Sequence, residues 1–268
     1  MVLNFKKTIP NAITLSNLFL GFVSLVLIAL SISSSGQHII TSCYLILIAA
    51  FLDVLDGKVA RKLNISSNFG KEIDSLADLI SFCLVPSFLL FYWYNQLNVF
   101  ELVPLIAICS CPLIFGAIRL AKYNAMRNMR ESIQYIGMPT PANAIFICSL
   151  ILYASYFPIR LIQPIENILF QNMYLFLEIV ISNEFIILFL SLFSSLLLLS
   201  QVNYEKFPLI SFRIDRRNTI DLIKLILFLI ILFSSVFLRC HDIVLLFFML
   251  IYIYGNLVKY FYRKLKNT

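Results

Sequence analysis

The sequence predicts an all-α integral-membrane protein, a polytopic bundle of about eight transmembrane helices forming one domain over residues 1–268. Three observations carry this. Of the 268 residues 60% are hydrophobic and only 13% are charged, and mean hydropathy is +0.90, far from the balance of a water-soluble domain. Apolar runs near twenty residues, the length that crosses a bilayer as a helix, recur along the whole chain and leave no stretch for a separate soluble domain. Finally, a net charge of +7 sorts to one side of the membrane once the runs are threaded.

The expected spans are 12–33, 39–61, 72–94, 100–122, 141–157, 183–201, 219–238 and 242–261, the last three forming a C-terminal extension over about 183–261. Lys6 and Lys7 precede the first run, which is too long for a signal-peptide core and lacks a small-residue cleavage site, so it is read as a retained span. Ser33-Ser34-Ser35-Gly36 ends it. Asn64-Ile65-Ser66-Ser67-Asn68 breaks the chain after the second, and Asn95-Gln96-Leu97-Asn98 separates the third from the fourth. Tyr92, Trp93 and Tyr94 form an interfacial aromatic anchor. Residues 158–182, with Pro158, Pro164, Glu166 and Glu178, read as a longer loop carrying an interfacial amphipathic piece.

With both termini inside, all of the 21 Lys and Arg except Arg160 and Arg239 fall on the cytoplasmic side, as the positive-inside rule requires. The basic balance is therefore topological, and nucleic acid is not an expected partner. Six cysteines lie almost entirely within apolar runs and read as small core residues. His38 and His241 fall on the opposite side of the membrane from the feature that carries the chemistry.

That feature is four aspartates, Asp53, Asp56, Asp74 and Asp78, within two otherwise apolar spans. Each costs about 2.5–3.5 kcal/mol at the centre of a span on insertion scales. Spacings of three and four put each pair on one helix face. A turn near Ser66 folds the two spans antiparallel and brings all four carboxylates to matching depth, with Asp56 about 9 Å inside the helix end near Lys62. Converging anionic oxygens need cations, and hard divalent ions such as Mg²⁺ or Mn²⁺ suit them. Around them stand Gly57, which lets a ligand approach closely, Arg61, a fork of donors for phosphate, and Ser67 with Gly70 at the start of the next helix, where backbone N–H groups favour anions.

Asp53-x2-Asp56-Gly57-x2-Ala60-Arg61-x8-Gly70-x3-Asp74-x3-Asp78 resembles, at every defined position, the signature of the CDP-alcohol phosphatidyltransferase family. The resemblance implies two divalent metals on Asp53, Asp56, Asp74 and Asp78, with Asp78 also the general base. It further implies CDP-diacylglycerol contacts from Gly57, Arg61 and Ser67, and a homodimer. Pro10-Asn11-x2-Thr14-x2-Asn17-x3-Gly21 is similar to the family's N-terminal motif, with Asn11 and Thr14 as further contacts to the CDP-lipid. Arg119-Leu120-Ala121-Lys122-Tyr123-Asn124, Gly137-Met138-Pro139-Thr140-Pro141-Ala142 and, more loosely, Ser200 with Tyr204 and Phe207 resemble runs of the members that use L-serine as acceptor. Arg119, Asn124 and Arg130 are then candidates for holding the amino acid.

The expected activity is phosphatidyl transfer from CDP-diacylglycerol to L-serine, from a cytoplasm-facing site in the cell (inner) membrane. Two alternatives stand beside it. One is the same transfer to glycerol 3-phosphate, inositol phosphate or choline; the other is divalent-cation transport, since a transporter also places carboxylates in a bundle. A site near one face with Gly57 and Arg61 beside it suits the enzyme better than a pore.

Overall fold

The computed structural model describes residues 5–32, 36, 38–62, 68–98, 100–126, 135–162, 168–180, 183–204, 231, 234–236 and 240–266. Helices α1 (Phe5–Ser31) and α2 (Ile39–Lys62) are followed by α3 (Asn68–Asp78), which passes through π-helical residues Leu79–Leu84 into α4 (Val85–Leu97). Then come α5 (Leu102–Cys109), α6 (Cys111–Met126), a short strand β1 (Tyr135–Ile136), α7 (Thr140–Ile162), α8 (Ile168–Val180), α9 (Glu184–Leu197), β2 (Asn203–Tyr204) and α10 (His241–Lys266).

Among the described residues five helical stretches are long and apolar enough to cross a membrane: Ile9–Ser31, Ile39–Val59, Asn68–Leu97, Leu102–Ala125 and His241–Lys266. The expected spans 141–157 and 183–201 coincide with shorter apolar helices, Thr140–Tyr156 and Phe185–Leu197. The expected span 219–238 lies mostly outside the described residues. Residues 158–182 are more helical than the predicted loop: α7 runs on to Ile162 and α8 follows from Ile168. Pro158 does not stop α7, and Leu177 of α8 is buried against the second half of the bundle.

Side-chain contacts give the helix directions. Thr14 meets Asp56 and Ser24 meets Ser42, so α1 and α2 are antiparallel. Asn17 meets Ser81 and Ser31 meets Tyr92, which sets the α3–α4 helix parallel to α1. In turn α6 is antiparallel to α3–α4, because Ser75 meets Asn124 and Ser87 meets Leu113. Helix α7 starts beside Asp78 and reaches Tyr44 with Tyr156. Helix α10 starts at Tyr44 with His241 and passes Tyr204 with Tyr252. The start of α1 and the end of α10 therefore share the end of the bundle that holds the aspartates.

Two apolar clusters form the interior, one built on α1, α2, the π-helical turn, α4 and α5 and one on α8–α10 with residues 197–204, and α7 contributes to both. Large apolar side chains such as Phe19, Phe22, Phe51 and Val103 point outward, as lipid-facing positions should. All six cysteines are free and five are buried, consistent with small core residues.

The π-helical turn has a local cause. Pro86 lacks an N–H and its ring crowds the carbonyl one turn back; widening the helix over Leu79–Leu84 relieves this, and the Val85 N–H reaches the Ile80 carbonyl five residues back. The wider turn buries Ser81, Phe82 and Cys83. Ser81 then donates to the Asn17 carbonyl of α1 at 3.1 Å. Two glycines permit this crossing: a Cβ on Gly21 would strike Ser81 Oγ, and one on Gly116 of α6 would strike Cys83 Sγ. Seated between α1 and α6, the turn fixes the helix that carries Asp74 and Asp78.

Candidate active site

Asp53 and Asp56 project from α2 and Asp74 from α3, and one carboxylate oxygen of each lies within 4.8 Å of the other two. Asp56 is only 5% exposed. At that separation each pair of full charges repels by about 3 kcal/mol at an effective dielectric near 20. Three oxygen donors so close suit a hard cation in chemistry as well as in spacing, so the residues present fit the divalent metals that the motif implies.

Asp78 sits one turn beyond Asp74, beside Asp53 and Asp74, with Arg119 of α6 near enough to act on its charge. Its Oδ2 accepts from the Thr140 hydroxyl at 3.5 Å, while Oδ1 is buried with no hydrogen-bond partner among the described residues. One oxygen thus faces a donor and the other has none among the described residues.

Thr14 of α1 donates to Asp56 Oδ2 at 2.7 Å; its oxygen also lies 3.1 Å from the Pro10 carbonyl. A hydroxyl has one proton, and the charged partner is the nearer. Thr14, expected from the sequence to contact the CDP-lipid, thus donates to one of the aspartates. One turn on, Asn17 is fully buried, and neither its Oδ1 nor its Nδ2 is bonded among the described residues. Asn11 is half-buried on the same helix.

Arg119 is buried, its guanidinium 4.7 Å from the centre of the Tyr123 ring. Asn124 binds Ser75, which lies between Asp74 and Asp78 on α3, with Nδ2 3.1 Å from the Ser75 hydroxyl. These two acceptor candidates therefore flank the aspartate helix. Gly57 is half-buried directly after Asp56. Arg61 belongs to α2 by its backbone, but its side chain, together with Ser67 and Arg130, lies outside the described residues.

Thr140, Asn17 and Ser75 are site residues to which the sequence reading gave no role. Thr140 and Asn17 lie in runs that the reading quoted. That Thr140 faces Asp78 and Ser75 meets Asn124 depends on helix packing, which spacing within one helix does not report.

A second polar cluster occupies the opposite end of the bundle. Tyr44, about 14 Å along α2 from Asp53, contacts His241 Nε2 and lies 3.2 Å from the Tyr156 hydroxyl. Asp242 beside it is fully buried. It ties α2, α7 and α10 together, away from the carboxylates.

Comparison with known proteins bears on this geometry. The profile of the CDP-alcohol phosphatidyltransferase family matches residues 7–183. A CDP-diacylglycerol–serine O-phosphatidyltransferase of Helicobacter pylori strain 26695 is 31% identical over 255 residues, covering 95% of this chain and 92% of that protein. The Bacillus subtilis protein of the same name is 37% identical over 155 residues, 57% of this chain and 79% of its own length. An archaetidylserine synthase of Methanothermobacter thermautotrophicus is 32% identical over 164 residues, 58% of this chain and 64% of its own.

Proposed function

Because the chain belongs to the CDP-alcohol phosphatidyltransferase family, we propose that it transfers the phosphatidyl group of CDP-diacylglycerol to the hydroxyl of L-serine, giving phosphatidylserine and CMP. The observation that carries this reading is the convergence of Asp53, Asp56 and Asp74 with Asp78 and Arg119 alongside. The relatives above that cover most of this chain or most of their own length are named for serine transfer.

Asp53, Asp56, Asp74 and Asp78 would hold the divalent ions, Mg²⁺ or Mn²⁺ and two by family resemblance, the first three from the converging cluster. Bound divalent ions neutralise a diphosphate and stabilise the charge that builds up as phosphorus is attacked. The chain's own groups do the rest. Thr14 fixes the orientation of Asp56. Asp78 takes the serine hydroxyl proton on Oδ1; the serine oxygen forms a bond to the phosphorus bearing diacylglycerol, and the bond from that phosphorus to the CMP oxygen breaks. Arg61 steadies a phosphate, with Asn11, Thr14, Gly57 and Ser67 lining the CDP-lipid side. Arg119, Asn124 and Arg130 receive the polar groups of the amino acid.

The lipid enters sideways, since withdrawing acyl chains from the bilayer costs about 0.8 kcal/mol per methylene. The site therefore opens to membrane and cytosol together. In this reading the chain has eight spans with both termini cytoplasmic, 219–238 supplying the seventh, and works as a homodimer in the cell (inner) membrane.

The test is CMP release by purified protein in detergent with CDP-diacylglycerol, Mg²⁺ or Mn²⁺, and each candidate alcohol. Serine-dependent release supports the reading. Release only with glycerol 3-phosphate, inositol phosphate or choline removes serine while keeping the family chemistry, and no release with any acceptor refutes the transferase.

A further inference from the structure

We propose that Thr140 is a positioning residue for Asp78: its hydroxyl holds Oδ2 and so presents Oδ1 to the acceptor. The proposal rests on the reading of Asp78 as the general base.

Four observations carry it. Thr140 is 1% exposed, so its hydroxyl has no water to compete for its proton. That hydroxyl lies 3.5 Å from Asp78 Oδ2, on a carboxylate that the Asp53 carboxyl also approaches, and Oδ1 is buried with no hydrogen-bond partner among the described residues. The Thr140 hydroxyl is a neutral donor beside Asp53, Asp74 and Arg119, and it adds a directional restraint on the carboxylate of the kind that general-base geometry needs. The methyl of Thr140 faces Gly116 of α6, where its Cγ2 would stand 3.7 Å from an added Cβ, and a β-branched side chain in a helix has few χ1 choices.

The fourth observation is how the backbone of Thr140 is held. It opens α7 directly after the turn at Gly137, which has φ +81 and whose missing side chain admits the Leu198 carbonyl. The turn is strapped to the segment after α9. The Gly137 N–H donates to the Val202 carbonyl at 2.9 Å, the Met138 N–H to the Leu197 carbonyl at 2.9 Å, and Tyr135–Ile136 pairs antiparallel with Asn203–Tyr204. Residues 197–204, beyond the stretch that the family profile matches, thereby set the position of a group at the catalytic carboxylate. The Gly137–Ala142 run consequently does more than turn the chain into α7.

The test compares Thr140→Val, which keeps the shape and removes the donor, with Thr140→Ser, which keeps the donor and removes the methyl. Purified variants are assayed for serine-dependent CMP release. Positioning predicts that Val lowers kcat by about tenfold or more, the scale of a lost hydrogen bond to a charged group, with both KM values within about twofold, and that Ser restores kcat to within about threefold of wild type. Val with wild-type kcat, or Ser as impaired as Val, overturns the proposal. Should the Val protein fail to fold, Ala against Ser decides: equal kcat values overturn it and a low value for Ala alone supports it. Asp78→Asn run in parallel separates the two levels. An inactive Asn variant beside a fully active Val variant refutes the role of Thr140 alone, whereas an active Asn variant refutes Asp78 as base and the proposal with it.

Discussion

Thr14→Val is the sharpest single perturbation of the proposed metal site. The substitution is nearly isosteric, and a β-branched side chain in a helix keeps its preferred rotamer, so what changes is the donor to Asp56 Oδ2 at 2.7 Å. Both partners are buried, with Thr14 4% and Asp56 5% exposed, so water does not replace the bond. A hydrogen bond to a charged group contributes about 1.5–3 kcal/mol, which corresponds to roughly 10- to 150-fold in an equilibrium constant. Outer-shell partners of metal ligands typically cost about 10- to 100-fold in metal affinity when removed, so two independent routes give one magnitude. The assay is CMP release at saturating CDP-diacylglycerol and serine across a Mn²⁺ titration. The midpoint should rise by about 10- to 100-fold in Thr14→Val, with much of kcat recovered at high metal, while Thr14→Ser stays near wild type. An unchanged midpoint in the Val variant would refute the assignment of Asp56 as a ligand held by Thr14.

Chelating divalent ions should abolish CMP release and adding back Mg²⁺ or Mn²⁺ should restore it; Asp74→Asn, which removes one of the three converging carboxylates, should lose at least about 100-fold at fixed metal, beyond the range for outer-shell changes. Full activity after chelation would contradict the metal reading. Gly116→Ala should destabilise the bundle by about 1–3 kcal/mol, because the new methyl meets Cys83 Sγ, whereas Gly255→Ala has open space within 4 Å and should leave thermal unfolding in detergent unchanged or raise its midpoint.

The aspartates show how far sequence reasoning reaches. Asp53, Asp56 and Asp74 were legible because a charge in an apolar span is costly and helical spacing fixes which face it occupies; a short link between neighbouring spans then dictates an antiparallel pair. The π-helical turn after Asp78 has a sequence signal in Pro86, but the same residue is compatible with a kink, and the choice is made by Ser81 and Cys83 fitting against Gly21 and Gly116. Residues 158–182 read as a loop because their prolines and polar groups outweigh local propensity. The structure lengthens α7 to Ile162 and buries Leu177 of α8 against the second core cluster.

By itself the sequence determined that this chain lives in lipid and that four carboxylates must be compensated where lipid alone would not tolerate them. Those properties follow from local terms: transfer free energies, helical period and charge. Tertiary structure alone decided that Thr14 backs Asp56, that Thr140 reaches Asp78 across 62 residues of chain, and that His241 closes on Tyr44 and Tyr156 far from the site. Each of those contacts depends on which helix faces which. Inside a membrane that choice is made by close packing at glycines and by buried hydrogen bonds, and neither is visible in the hydropathy of any one segment.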